Sequence, residues 1–192
     1  MNICLYGSSS DSIDSIFLEE SFKTGEELAL RGHTLVYGAG GEGVMGAAAR
    51  GAASKGGIII GIVPAFLDLG SNLFPDCTEL IKTEDMRSRK ALLESRSDAF
   101  IVMPGGLGTF DEFFEIATLR QLGRHGKAIA VCNIDGYYDE FEAMFEKAIR
   151  RGFMSEKNHE VCRFFRDRDE MFGFLEFHGE KVLDIREMKI IK

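Results

Sequence analysis

Ser97-Asp98-Ala99-Phe100-Ile101-Val102-Met103-Pro104-Gly105-Gly106-Leu107-Gly108-Thr109-Phe110-Asp111-Glu112 changes character along its length. Its opening is short, apolar and partly β-branched, which reads as a buried strand. Beyond it, Phe113-Phe114-Glu115-Ile116-Ala117-Thr118-Leu119-Arg120-Gln121-Leu122 places apolar residues at helical spacing. The glycines therefore sit at a strand-to-helix turn, where an open parallel sheet binds its ligands. Gly105, Gly106 and Gly108 carry no side chain, so a ligand can approach their N–H groups closely. The helix that follows adds unpaired amides and the positive end of its dipole, which suits a phosphate. Thr109 adds a hydroxyl. A carboxylate beside a bound phosphate costs electrostatic energy, so Glu112 reads as a residue with a chemical task. The plainer alternative is that Asp111 and Glu112 complement the helix dipole.

The same strand-then-turn pattern recurs upstream. Asn2-Ile3-Cys4-Leu5-Tyr6 is a strand closed by Gly7-Ser8-Ser9-Ser10-Asp11. That turn offers Ser8 and its neighbours to a ligand, or simply caps the next helix. The helix runs from about Ile16 to Leu30 and ends near Gly32. Thr34-Leu35-Val36-Tyr37 leads into Gly38-Ala39-Gly40-Gly41-Glu42-Gly43, which matches G-x-G-x-x-G. The match follows the second strand, and the acidic residue a dinucleotide site needs about 20 positions on is missing. It reads as a glycine turn that approaches a phosphate or ribose, followed by a small-residue helix over 47–54. Further strands are expected over 58–63, 79–82, 128–132 and 161–165, with helices from Met86, from Phe141 and around Met171. Residues 64–76 form a loop or lid. The alternation specifies an α/β sandwich of three layers with a mainly parallel sheet, in a single domain over 1–192.

With 192 residues, the chain is long enough to bury a real core. A formal charge of −8 argues against a nucleic-acid surface, so an anionic ligand must be held by local donors. Cys4, Cys77, Cys132 and Cys162 form no C-x-x-C pair and read as reduced thiols of a cytoplasmic protein. No apolar run approaches the roughly 20 residues of a membrane span. The histidines are scattered without ligand spacing, so no metal and no cofactor is expected. The basic residues of Met86-Arg87-Ser88-Arg89-Lys90 stand out in an acidic chain; by themselves they read as a solvated face.

Taken together, two motifs resemble a known family. Pro104-Gly105-Gly106-Leu107-Gly108-Thr109-Phe110-Asp111-Glu112 is similar to the P-G-G-x-G-T-x-x-E signature of the Lonely Guy (LOG) family, and Met86-Arg87-Ser88-Arg89-Lys90 to its M-x-x-R-K motif. These are cytokinin riboside 5′-monophosphate phosphoribohydrolases, long mislabelled as lysine decarboxylases. Asn133-Ile134-Asp135-Gly136-Tyr137-Tyr138 is also similar. The resemblance implies a Rossmann-like homodimer that splits a nucleoside 5′-monophosphate into free base and ribose 5-phosphate. It implies a catalytic pair at Arg89 and Glu112. Implied substrate contacts are Lys90, Gly106, Leu107, Gly108, Thr109, Phe110, Asp111 and Thr118. Arg87 stands where the family often has His, and the loop over 65–76 departs from the family pattern.

The chemistry is consistent with these residue types. Cleaving a ribosyl C1′–N bond passes through an oxocarbenium-like centre, and a carboxylate next to the ribose can stabilise that charge or activate water. Arg89 supplies a planar, permanently charged fork for phosphate, ribose or the carboxylate. The rival reading is a carrier of the same fold that binds a nucleotide or cofactor without chemistry, as molybdenum-cofactor relatives do. A decarboxylase ranks last, since no pyridoxal-phosphate site is evident. The Phe-rich segments after Tyr138 hold more apolar surface than one helix face buries, which suggests a second copy of the chain, or a helix laid across the sheet. The resemblance, in a family that dimerises near its sites, implies that the helices containing Met86 and Arg120 are interface neighbours.

Overall fold

The computed structural model describes residues 1–68 and 72–188. Strands form where apolar residues concentrate, with charged residues only in the edge strands β4 and β7: β1 (Asn2–Tyr6), β2 (Thr34–Tyr37), β3 (Ile59–Pro64), β4 (Glu79–Thr83), β5 (Ala99–Val102), β6 (Ala128–Cys132) and β7 (Arg163–Phe165). Between them lie α1 (Ser15–Leu30), α2 (Gly43–Ser54), α3 (Met86–Ser95), α4 (Leu107–Gln121), α5 (Asp139–Arg150) and α6 (Arg168–Phe177), with a last turn, α7 (Ile185–Met188). The sheet order is β4-β3-β2-β1-β5-β6-β7. Every pairing is parallel. The expected α/β sandwich is therefore present, and its sheet is parallel throughout the described residues.

Both faces of such a sheet must be covered, because each strand alternates its side chains between them. Ile3, Leu5, Leu35, Tyr37 and Ile101 cluster with Leu28 of α1, Ala48 of α2 and Phe172 of α6. Cys4, Tyr6, Val36, Phe100 and Val102 cluster with Leu93 of α3 and with Phe113 and Ile116 of α4. The small residues of α2 let it lie tightly on α1: a Cβ on Gly25 would overlap the Ala48 carbonyl. All four cysteines are free. Burial pushes the Cys4, Cys132 and Cys162 thiols up to about 12, so they are inert packing groups.

Several boundaries shift from the sequence expectation. α2 begins at Gly43 and α4 at Leu107, so both glycine turns feed straight into helix. β5 and β7 each begin two residues late, at Ala99 and Arg163. Residues 65–67 form a single 3-10 turn, and the rest of the expected lid includes positions 69–71, which lie outside the described residues. Of the two destinations expected for α6, it takes the sheet: Met171, Phe172 and Leu175 are buried. Among the described residues no helix is long and apolar enough to cross a membrane.

The order in which the chain lays down strands reverses between β1 and β5. In an open parallel sheet, that switch point opens a crevice at the carboxyl ends. Residues 7–9 and 103–106 leave the sheet there.

Candidate active site

A cleft of about 360 Å³ occupies the switch point, a volume within the range of small-ligand pockets. Its walls are residues 7–9 after β1, Met45 of α2, Leu67, Met86 and Arg89 of α3, and residues 106–109 with Glu112 of α4. Ser8, Arg89, Gly106, Leu107, Gly108, Thr109 and Glu112, all singled out from the sequence, are thus brought together.

A capping box sets the orientation of Arg89. Asp85 accepts from the Ser88 amide at 2.8 Å, while the Asp85 amide donates to Ser88 Oγ at 3.3 Å. With the start of α3 fixed, Arg87 and Ser88 face solvent and Arg89 turns inward. Its Nε donates to the Ile62 carbonyl at 3.2 Å, and its Nη1 donates to Glu112 Oε1 at 2.6 Å. Only Gly38, at the end of β2, leaves room for this: a Cβ there would overlap Arg89 Nη2. The solvated-face reading therefore describes Arg87 and fails for Arg89.

Glu112 is buried to 7 % exposure on the second turn of α4. Burial raises its pKa above the usual carboxylate range; the Arg89 charge and hydrogen bond oppose that rise without cancelling it. A buried ion pair is poor evidence for stability, since removing two charges from water costs several kcal/mol per ion. Dipole complementation does not require Glu112 to be buried or paired, so that reading is the weaker one. Among the described residues the Glu112 side chain makes no other hydrogen bond, which leaves Oε2 for a ligand.

The glycine turns differ in what their amides do. At the start of α2, the Gly43 amide donates to Asp11 Oδ1 at 2.7 Å and the Met45 amide to the Ser8 carbonyl at 3.2 Å. Gly38 makes room for Arg89. Gly38, Gly41 and Gly43 of the G-x-G-x-x-G stretch are thus engaged internally and do not line the cleft, in contrast to the expected approach to a phosphate or ribose. The start of α4 has no side-chain cap. Its first-turn amides border the cleft and retain the donor capacity of an open helix N-terminus.

Four expected contacts lie elsewhere. Lys90 is held by Asp111, at 3.0 Å, and by Glu115, on the flank of α3 and α4. Phe110 stacks on Phe141 with ring centroids 6.2 Å apart. Thr118 lines a second, apolar groove of about 320 Å³ with Phe114, Met144 and Phe153. Conversely, Met45, Leu67 and Met86 line the cleft and were not foreseen as site residues. Met86 heads a motif and carried some signal; Met45 and Leu67 carried none. Among the described residues no group of His, Cys, Asp and Glu is arranged to hold a metal ion.

The chain is similar to known proteins in sequence and in fold. The sequence pattern of the family described as "Possible lysine decarboxylase" matches residues 45–174. The chain is 36% identical over 159 residues to cytokinin riboside 5′-monophosphate phosphoribohydrolase LOG4 of Arabidopsis thaliana, covering 83% of this chain and 74% of the relative. LOG3 of the same plant matches with the same identity and coverage. Among solved structures, the molybdenum cofactor carrier protein of Chlamydomonas reinhardtii superposes with a TM-score of 0.70 over 92% of this chain and 96% of its own, at 18% identity. The molybdenum cofactor binding protein of Rippkaea orientalis superposes at 0.68 over 91% and 93%, at 20% identity. These two share the fold. The family pattern and the plant relatives carry more, and by them the chain belongs to the LOG family.

Proposed function

We propose that this protein hydrolyses the N-glycosidic bond of a nucleoside 5′-monophosphate, releasing the free base and ribose 5-phosphate. The observation that carries the reading is the buried Arg89–Glu112 pair, one helical turn deeper in the cleft than the uncapped start of α4. The phosphate sits on the amides of residues 106–109 and the Thr109 hydroxyl, with Ser8 facing it. Glu112 lies five positions past the start of α4, about 7 Å along the axis. That offset lets one ribose bridge from the helix start to the carboxylate. As the C1′–N bond lengthens, the ionised Glu112 faces the positive charge developing at C1′, and it orients or deprotonates the water that adds there. The departing base takes up a proton as water supplies the new C1′ hydroxyl. Arg89 holds Glu112 in place and favours its ionised form against the cost of burial.

The rival carrier reading needs a cleft but has no use for a buried carboxylate paired with a guanidinium. We assign Arg89 and Glu112 as the catalytic pair. Lys90 and Asp111 then shape the outer rim through their ion pair, and Phe110 braces α4. The protein works as a homodimer: Phe114, Met144 and Phe153 expose 43%, 60% and 86% of their surface around the groove that holds Thr118. A second copy there would bring Thr118 into a composite site. The reading is tested with AMP and adenosine as substrates. AMP should be converted to adenine with a kcat/KM far above that for adenosine, because the α4 amides are built for an anion. Equal values for the two would remove the phosphate from the account.

A further inference from the structure

Three successive carbonyls of the β5–α4 turn are each tied to a donor. The Tyr138 hydroxyl donates to the Met103 carbonyl at 2.8 Å, the Ser8 amide to that of Pro104 at 3.1 Å, and the Tyr137 hydroxyl to that of Gly105 at 2.7 Å. The two tyrosines come from the turn after β6, where Asp135 and Gly136 both adopt positive φ, at 50° and 73°. Asn133 fixes that turn by accepting from the Tyr138 amide at 2.8 Å and donating to Asp139 at 2.7 Å. Tyr138 is buried, whereas Tyr137 is 41% exposed and stands outside the cleft.

We infer that Tyr137 is a positioning residue for anion recognition in this cleft, an inference that rests on the nucleotide reading above. A trans peptide points its C=O and the following N–H in opposite directions. Holding the Gly105 carbonyl on Tyr137 therefore aims the Gly106 amide away from Tyr137, and Gly106 borders the cleft. Gly105 and Gly106 have no side chains to resist rotation of the peptide between them. Without the phenol, that peptide can turn its carbonyl toward the anion and repel it. Tyr137 thus supplies through one hydrogen bond the orientation that the glycines leave unspecified.

The test is Tyr137→Phe, which keeps the edge-on ring contacts to Phe17 and Tyr138 at 5.7 and 4.9 Å. Apparent affinities for AMP, as KM from initial rates of adenine release, and for adenosine, as a competitive inhibition constant, are measured with the full-length wild type and variant, together with melting temperatures. The expected result is about tenfold weaker AMP binding, an unchanged adenosine affinity and a melting temperature within a few degrees of wild type. A second variant, Tyr138→Phe, removes a buried bond to a carbonyl that precedes proline, where no amide follows to be aimed. It should lower the melting temperature more and the AMP preference less. Wild-type AMP affinity in Tyr137→Phe, or equal losses for AMP and adenosine, would overturn the inference alone. Failure of the wild-type protein to bind AMP would overturn the nucleotide reading and this inference with it.

Discussion

Arg89 and Arg87 stand two positions apart on α3 and meet opposite environments. Arg89 is buried and bonded to Ile62 and Glu112, while Arg87 faces solvent. Lys at position 89 would keep the charge but replace a rigid fork that engages two acceptors with a single flexible donor. Arg89→Lys should therefore cost about 1–3 kcal/mol of transition-state stabilisation, the scale of charge-assisted hydrogen bonds. Arg87→Lys should change kcat/KM by less than about twofold, since exposed charges contribute little. Turnover of AMP by both variants, with melting curves, checks this; equal small effects would remove Arg89 from the site. The sequence motif named both Arg89 and Lys90, yet only one faces the cleft. What separates them is the helical phase set by the Asp85–Ser88 capping box, and the ion pairs that Asp111 and Glu115 offer Lys90.

At the level of elements, the Arg89–Glu112 pair depends on a loop that does not line the cleft. The β2–α2 turn passes so close to Arg89 that any side chain on Gly38 would overlap the guanidinium. Gly38 does not need positive φ, so Gly38→Ala leaves the backbone unstrained and displaces Arg89 instead. We expect kcat/KM on AMP to fall about tenfold to a hundredfold, the range that a misplacement near 1 Å produces, with a melting temperature lowered by only a few degrees. Wild-type turnover in Gly38→Ala would show that the guanidinium tolerates the shift. Periodicity and turn residues located nearly every strand and helix, because the inner strands β1, β2, β3, β5 and β6 are buried almost throughout and the turns are marked by Gly, Ser or Asp. They failed at the helix starts. The glycines at 43 and 108 carry low helix propensity, yet the sheet's crossover geometry draws them into α2 and α4. Nor does a glycine motif reveal whether its amides meet a ligand or, as at Gly43, an aspartate from a neighbouring turn.

Across the whole molecule, the strand order places the β1 and β5 turns side by side, although the sequence separates them by about half the chain. The depth of Glu112 below that pairing could not be read from spacing alone. The exposed Phe114, Met144 and Phe153 predict that the protein sediments and scatters light as a dimer of twice its 21.3 kDa mass at micromolar concentration; a particle of 21.3 kDa would leave that apolar groove without its occupant. The central claim is that one buried carboxylate performs the cleavage. Its most direct test is the rate at which wild type and Glu112→Gln release adenine and ribose 5-phosphate from AMP. The account predicts equimolar products from the wild type. It also predicts a folded variant slower by about a hundredfold or more, the usual scale for acid–base and charge-stabilising groups. Wild-type rates from folded Glu112→Gln would contradict it.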